Sequence, residues 1–420
     1  MSDTVVLHGL ACRRDPTPQA TVGRLRGLVG SFDCIVAGLT GDERLLDPAR
    51  AGLPAGAAIS EAAAVRLRRR GVELAWGEPV VLQHPRELLA LCVERGRSSV
   101  DIARADPSLL TELQLGSWFD ATWPVRLLRR VARGVRPPAR AELRLAADAA
   151  FWRGVRSRAT GAEWRLWTRT SYVALVYHRL AGERKEGQER IDLAPDVFAR
   201  QLRALRWLGF RHIELDELIA LHESEEPAHM RRAFAVTLDD GLHDCLRPLL
   251  GQPERGIQLF VSTAEVGGHA HWLDDEPLLG WDDVRALARS GVVIGSHACH
   301  HVRLVGLEPG RLAGELEGSR SDLEREVTSP SPALAYPHGA HDETVRTAAI
   351  NAGFRAAFTT NKGRNGRGAD RFALRRVSVH EADGVLAVLW KVLTGEGLPT
   401  LWLRIRHLRK GTRRRAPLLR

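Results

Sequence analysis

Residues 234–241 have the sequence FAVTLDDG, in which a short apolar run ends abruptly in two acidic residues and a glycine. The same arrangement occurs twice more, as VVIGSH at 292–297 and as ALAYPHG at 333–339. Short apolar runs bounded by polar or turn-forming residues are typical of buried strands. Helical patterns at 281–290 and 308–327 lie between the runs, so the sequence predicts an α/β fold with a parallel sheet or barrel.

Residues that can bind a metal follow two of these runs: Asp239 and Asp240 after the first, His297 and His301 after the second. Because the carboxyl ends of parallel strands lie on one face, these side chains are predicted to converge. Such a set suits one divalent cation with three ligands, as is common for zinc, and one free base. Adjacent aspartates in an extended segment point opposite ways, so the two could divide these tasks. Each motif alone would be explained better as a solvated turn or as ordinary loop polarity.

The motifs resemble those of the polysaccharide deacetylases of the NodB-homology group, carbohydrate esterase family 4. TLDDG at 237–241 is similar to the family's Thr-Phe-Asp-Asp-Gly motif, SHACHH at 296–301 to its histidine motif, and YPHG at 336–339 to its third motif. LVYH at 175–178 resembles the family's opening strand, and the resemblance covers about 172–379. It implies a distorted (β/α) barrel of about seven parallel strands.

The resemblance also implies roles for individual residues. It implies three metal ligands: Asp240, His297 and His301. Asp239 would be the catalytic base, the backbone N–H of His338 a candidate oxyanion donor, and His380 the candidate general acid. In the implied reaction a metal-activated water, deprotonated by Asp239, attacks an acetamide carbonyl, and acetate and a free amine are released. The expected enzyme is therefore a metal-dependent polysaccharide or N-acetylglucosamine deacetylase with a divalent metal, Zn²⁺ above others.

The sequence departs from the family pattern near the third motif. Ala335 stands where many members carry an arginine that orients the catalytic aspartate, so Asp239 would need another partner. His338 replaces a tyrosine, which leaves the backbone donor intact and changes the pocket wall. Three residues are candidates for binding the substrate: Tyr336, Pro337 and Arg376.

Other residues near the motifs could also bind metal. His300 is an alternative ligand to His301, and Cys299 is interpreted as an unreactive thiol beside the site. His269 and His271 lie in a glycine-rich segment, which is interpreted as a loop.

Three regions are predicted along the chain. Residues 1–165 should form a smaller α/β domain of unknown role, with strands at 4–10, 32–39, 72–76 and 79–83 and helices at 60–70 and 85–95. Residues 166–395 should form the deacetylase-like domain, after a linker at 133–140 and a helix from 141 to about 158. Residues 396–420 should form a basic amphipathic tail.

Two classes of function remain open. One is the deacetylase, acting on an amino-sugar polysaccharide or on its lipid-linked or cytoplasmic precursor, with a role in cell envelope biogenesis. The other is a non-catalytic glycan-binding or scaffold protein, in which Ala335 and an absent general acid have silenced the chemistry. The motifs fix the reacting centre and leave open the group attached to nitrogen, so another amide is also a possible substrate.

Cysteine usage and charge bear on location. The five cysteines are scattered without paired spacing, which favours a reducing compartment. No signal-peptide pattern or membrane-length apolar run is found, so a cytoplasmic location is expected. The net charge of +10 is a property of the tail, because residues 401–420 contain eight of the 61 basic residues and none of the 51 acidic ones. The pattern fits an amphipathic helix on an anionic membrane surface, with a solvated tail as the alternative and no nucleic-acid motif.

Overall fold

The computed structural model describes residues 4–12, 36–37, 73–82, 85–105, 107–111, 113–131, 142–181, 192–223, 230 and 232–397. The chain divides into two compact units, residues 1–169 and 170–420. The predicted helix at 60–70, the linker at 133–140 and the basic tail after residue 397 lie outside the described residues. Among the described residues, no helix is long and apolar enough to cross a membrane.

The first unit contains a three-stranded sheet. Its strands are β1 Thr4–Cys12, β2 Val36–Ala37 and β3 Glu73–Leu82, in the order β2-β1-β3. Strand β1 runs antiparallel to β2 and parallel to β3. The two strands predicted at 72–76 and 79–83 form one continuous strand, β3. Its pairing with β1 shifts in register between His8, which pairs with Gly77, and Leu10, which pairs with Val80. Such a bulge absorbs Pro79, which lacks a backbone N–H.

The helices of the first unit follow the sheet in sequence. They are α1 Pro85–Ala105, α2 Trp123–Val131, α3 Glu142–Arg158 and α4 Gly161–Arg169, with 3₁₀ turns at Pro107–Thr111 and Gln114–Asp120. Helices α1 and α3 meet at Gly96 and Gly154, where an added Cβ would lie 2.1 Å from the Phe151 oxygen and 1.9 Å from the Val93 oxygen, respectively. Only glycine therefore permits this close crossing.

The second unit is a nearly closed barrel of seven parallel strands, as predicted. The strands are β4 Ser171–Tyr177, β6 Ala233–Leu238, β7 Gln258–Val261, β10 Val293–Ser296, β11 Ala333–Ala335, β12 Ala356–Phe358 and β14 Arg376–Ser378. Their order is β12-β11-β10-β7-β6-β4-β14. A parallel bridge between Phe358 and Leu374 links the two ends of this series. Four short strands are also present: β5 Arg211–His212 pairs with β6, β13 Asn365–Gly366 pairs with β4, and β8 His269–Ala270 and β9 Glu276–Pro277 form a separate antiparallel pair.

Helices surround the barrel strands. They are α5 Pro195–Trp207, α6 Leu215–Glu223, α7 Leu246–Leu250, α8 Trp281–Ser290, α9 Pro309–Glu326, α10 Glu343–Asn351 and α11 Val385–Thr394. Helices α8 and α9 lie where the sequence predicts helices. Helix α8 ends at Gly291, whose φ of 100° is a left-handed value that glycine adopts readily. Helix α9 begins with a proline, which is favoured at the first helical position.

The barrel strands place polar loops on one rim. Nearly every residue of the seven strands is buried, as expected for strands covered on both sides. Polar residues follow the carboxyl ends of these strands, among them His178 after β4, Asp239 after β6, His297 after β10 and His338 after β11. The parallel direction brings these ends together, and so accounts for a site assembled from distant segments.

Candidate metal and active site

Asp240, His297 and His301 lie together at this rim, as predicted. The Asp240 Oδ1 atom is 3.2 Å from Nε2 of His301 and 3.6 Å from Nε2 of His297. All three residues are buried, and their nearest ligand-capable atoms lie within 4.8 Å of one another. Two imidazole nitrogens and one carboxylate oxygen form a donor set that zinc commonly uses.

The protonation of His297 gives a test of whether these residues suit a metal. Its Nδ1 lies 2.6 Å from the carbonyl oxygen of Ala335. A carbonyl can only accept, so Nδ1 carries the proton and Nε2 of the neutral ring directs a lone pair towards the Asp240 carboxylate. Two acceptors that face each other in a buried site repel unless a proton or a metal cation lies between them. The residues therefore fit a divalent metal.

The electrostatics of the set favour added positive charge. Burial acts to lower the pKa of His297, but hydrogen bonding to Asp240 and the charge of Asp239 outweigh it and raise this pKa. Burial acts to raise the pKa of Asp240, but His297 and His301 hold it well below its usual range. A carboxylate that stays ionised in a buried site is the form that binds a metal.

The backbone of the ligands adopts unusual conformations. Asp240, Ala298 and His301 have φ values of 73°, 62° and 52°. Left-handed values in residues other than glycine cost about 1–3 kcal/mol each and persist only where the surroundings enforce them. The expectation that Asp239 and Asp240 diverge because they lie in an extended segment is therefore wrong. They diverge because the chain turns at Asp240.

Asp239 is held by Arg376. The guanidinium donates from Nη1 to Oδ1 at 2.6 Å and from Nη2 to Oδ2 at 2.7 Å, and its Nε donates to the Thr359 oxygen at 2.9 Å. Burial acts to raise the pKa of Asp239, but the Arg376 charge lowers it below the usual value. Arg376 is fully buried, so the structure corrects its predicted substrate-binding role: it orients Asp239 in place of the arginine absent at Ala335.

The third motif presents one side chain to the rim. Tyr336 and Pro337 are buried, and the Tyr336 hydroxyl donates to the Phe372 oxygen at 3.0 Å. These two residues therefore support the loop, in contrast to the predicted contact with substrate. His338 is exposed, has a φ of 59°, and its ring centroid lies 4.8 Å from that of His301. The role of its backbone N–H as an oxyanion donor stays a prediction.

Two further residues belong to the site, although the sequence analysis assigns them no role there. The ring of Trp272, which lies between β8 and β9, stacks on His301 at a centroid distance of 4.0 Å and an interplanar angle of 19°. His178 follows β4 and helps to lower the pKa values of both Asp239 and Asp240. The same pattern of a polar residue after an apolar run could have identified His178, whereas no sequence signal points to Trp272.

His380, the predicted general acid, follows β14. Its side chain is exposed, and its backbone N–H donates to Oδ2 of Asp383 at 2.7 Å. Its role as an acid stays a prediction.

A second cluster of metal-capable side chains lies beside the ligands: Cys299, His300 and Glu315. The His300 Nδ1 atom lies 2.9 Å from Oε1 of Glu315, so this ring turns to Glu315, and His301 occupies the position beside Asp240. Burial raises the pKa of the Cys299 thiol to about 11, which agrees with an unreactive thiol. His271 is 71% exposed and lies 3.5 Å from Glu265, as expected in a polar loop.

The chain is similar to known proteins over the barrel unit. Residues 228–357 match the family model for polysaccharide deacetylase. The Bacillus subtilis (strain 168) protein named putative polysaccharide deacetylase YxkH is 26% identical over 182 residues, which are 42% of this chain and 62% of that protein. The match thus spans less than two thirds of the relative's length. Residues 228–357 belong to a domain of the polysaccharide deacetylase family, as the sequence motifs indicate.

Two solved structures are each similar to about half of this chain. The Streptococcus pyogenes deacetylase PplD, in complex with acetate, has a TM-score of 0.47 and 20% identity and covers 54% of this chain and 99% of its own. IcaB from Ammonifex degensii has a TM-score of 0.44 and 23% identity and covers 50% of this chain and 93% of its own.

Proposed function

We propose that this protein is a metal-dependent hydrolase that removes N-acetyl groups from an amino-sugar polysaccharide or from its lipid-linked precursor. The observation that carries the proposal is that two groups of side chains lie next to each other at one rim of the barrel. Asp240, His297 and His301 form a set that fits a metal, and an Arg376-bound Asp239 lies beside it. The match to the polysaccharide deacetylase family supports the acetamide of an amino sugar as the reacting group.

The roles of the chain's own residues follow from this geometry. Asp240, His297 and His301 would hold the cation. When bound, a divalent cation polarises the acetamide carbonyl and makes a nearby water more acidic. Asp239 accepts the proton of that water, and Arg376 keeps its carboxylate ionised and fixed in orientation. The His338 N–H would donate to the oxygen that becomes negative as the carbonyl is attacked.

The departing amine must receive a proton, and the rim offers two histidines for this task. His380 is the acid implied by the family resemblance. His178 is supported by position, because it directly follows β4 at the rim that holds Asp239 and Asp240 and is only partly buried. We favour His178 as the general acid.

Substitution of each histidine by asparagine should separate these assignments. The variant that lacks the acid should release acetate from an N-acetylated oligomer about 100-fold or more slowly, because general acid catalysis commonly supplies this factor. It should keep its metal and nearly full activity on 4-nitrophenyl acetate, whose leaving group needs no proton. We expect this behaviour of His178→Asn and a change of a few-fold at most for His380→Asn. The opposite ranking would return the acid role to His380.

A direct assay tests the activity itself. Purified protein loaded with zinc is incubated with N-acetylglucosamine oligomers, and released acetate and free amine are measured before and after removal of the metal by a chelator. We expect release in equal amounts and its loss on chelation. Metal binding without release from these oligomers or from a panel of other acetylated amines would favour the non-catalytic glycan-binding alternative. Release from another amide alone would change the substrate class.

The proposed place of action is an anionic membrane surface. Helix α11 carries exposed apolar side chains at Leu386 and Leu393, and the partly buried Leu389 and Trp390 complete the spacing i, i+3, i+4, i+7. Leu386 and Leu393 are 75% and 54% exposed. The basic segment at 401–420 follows this helix in sequence, and apolar groups beside basic ones are typical of surfaces that bind anionic lipids. The cytoplasmic location stays a prediction.

Truncation after Gly397 should therefore release the protein from anionic vesicles. Each basic residue near an anionic surface contributes about 1 kcal/mol, and salt screens this attraction. Co-sedimentation of the full chain should fall as ionic strength rises, while hydrolysis of a small soluble substrate should be nearly unchanged by the truncation. Equal binding of the full chain and the truncated chain, or no binding at low salt, would contradict the membrane proposal.

A further inference from the structure

Residues 297–301 form a loop that supplies two of the three proposed ligands, and we call it the ligand loop. Ala298 and His301 both have left-handed backbone conformations within it. Neither residue is a glycine, so the conformation must be enforced by partners outside the loop. The directions of the His297 and His301 side chains depend on this enforced path.

Most backbone groups of the ligand loop have partners on neighbouring segments. The His297 N–H donates to the Val261 oxygen at 2.8 Å, and the Ala298 N–H donates to the Ser296 hydroxyl at 3.0 Å. The carbonyls of residues 297, 298 and 299 accept from the Ser262 hydroxyl, the Thr263 N–H and the Ala264 N–H. The two amides in the middle of the loop, those of residues 299 and 300, bond to a side chain instead.

That side chain is Glu315 of helix α9. Its Oε2 accepts from the Cys299 N–H at 3.1 Å and from the His300 N–H at 3.0 Å, while Oε1 lies 2.9 Å from Nδ1 of His300. The Glu315 side chain is only 4% exposed. Hydrogen bonds to an ionised acceptor are stronger than those between neutral groups. Its removal would leave two amides without this acceptor, the buried amide of Cys299 and the part-buried amide of His300.

We infer that Glu315 is a positioning residue for the metal site. It holds the ligand loop in its left-handed path, so that His297 and His301 face Asp240 before any metal binds. The inference rests on the proposed metal site for its effect on affinity. It also makes a statement about the metal-free protein that is independent of the proposed function.

The test compares two substitutions of similar volume. Glu315→Met removes the acceptor, whereas Glu315→Gln keeps an amide oxygen that can accept from both backbone N–H groups. Zinc affinity is measured by competition with a chelator, and amide hydrogen exchange is measured on the metal-free proteins. Leu323→Ala serves as a control for lost stability. Leu323 is buried on the same helix, and its apolar side chain cannot accept a hydrogen bond from the ligand loop.

We expect Glu315→Met to weaken zinc binding about 10- to 100-fold, the usual effect of removing a group that orients a ligand. The amides of Cys299 and His300 should exchange faster in the metal-free variant. Glu315→Gln should keep affinity within a few-fold of the wild type, with a smaller rise in exchange at the same two amides. Leu323→Ala should lower the melting temperature and leave zinc affinity unchanged.

Wild-type affinity and wild-type exchange in Glu315→Met would overturn the inference, as would an equal loss of affinity in Leu323→Ala. If Glu315→Met does not fold, the wild type decides, because exchange of the Cys299 and His300 amides at the rate of unprotected amides in the metal-free protein would contradict a clamping role. If the wild-type protein binds no zinc through Asp240, His297 and His301, the proposed function fails. Exchange in the metal-free proteins would still show whether Glu315 holds the loop.

Discussion

Asp239→Asn should lose at least about 100-fold of its deacetylase activity and keep its metal. The substitution preserves the shape of the side chain and removes its ability to take a proton. The proposed ligands Asp240, His297 and His301 remain in place, so the metal content measured by mass spectrometry should match that of the wild type. Arg376 would lose its anionic partner, so activity must be compared per folded molecule.

Asp240→Asn is the matched control for this prediction. It changes the neighbouring carboxylate in the same way, but this carboxylate lies between the two histidines. The neutral amide is a poorer metal ligand, so most of the metal and the activity should be lost together, as also expected for His297→Ala. Equal metal loss in the two asparagine variants would show that the roles of base and ligand are wrongly divided.

Arg376→Met should destabilise the protein by about 3–5 kcal/mol, because it leaves the Asp239 carboxylate buried without a partner. The double variant Asp239→Asn/Arg376→Met buries no charge at this position and should recover much of the stability but none of the activity. Chemical denaturation measures both effects. Arg200→Met is the control, since Arg200 pairs with Asp196 at the surface and such pairs contribute about 1 kcal/mol or less.

The loss in Arg376→Met should also depend on pH. In the wild type the folded-state pKa of Asp239 is lowered, so this pair contributes stability above the unfolded pKa of about 4 and loses it as the pH falls. The difference in free energy of unfolding between wild type and variant should therefore shrink as the medium is acidified. A difference that is small at neutral pH, or that grows on acidification, would mean that Arg376 does not stabilise an ionised Asp239.

Local patterns in the sequence predict the parallel strands and the meeting of the ligands, while the prediction of a seven-stranded barrel rests on the family resemblance. Short apolar runs such as 234–238 and 292–295 are typical of buried strands. When such strands are parallel, the polar residues that follow them share a rim. Helices α8 and α9 are predicted within one residue of their ends because their boundaries carry strong signals, Gly291 and Pro309.

The contacts between distant segments could not be predicted in this way. Arg376 lies 137 residues from Asp239 in sequence, and its role depends on β14 pairing with β4. Trp272 reaches His301 from a segment between two short strands whose pairing leaves no periodic pattern. The left-handed turn at Asp240 overrides the extended geometry that adjacent aspartates suggest, because tertiary contacts enforce it.

The pairing of β4 with β14 has a consequence for how the protein is made. The ribosome completes the aspartates and histidines of the rim well before it reaches residue 376. Until β14 pairs with β4, the Asp239 carboxylate, the proposed base, has no guanidinium to hold it, although every proposed ligand is already present. In the proposed mechanism, a chain that ends before residue 376 would therefore contain all three proposed ligands and lack the group that orients the proposed base.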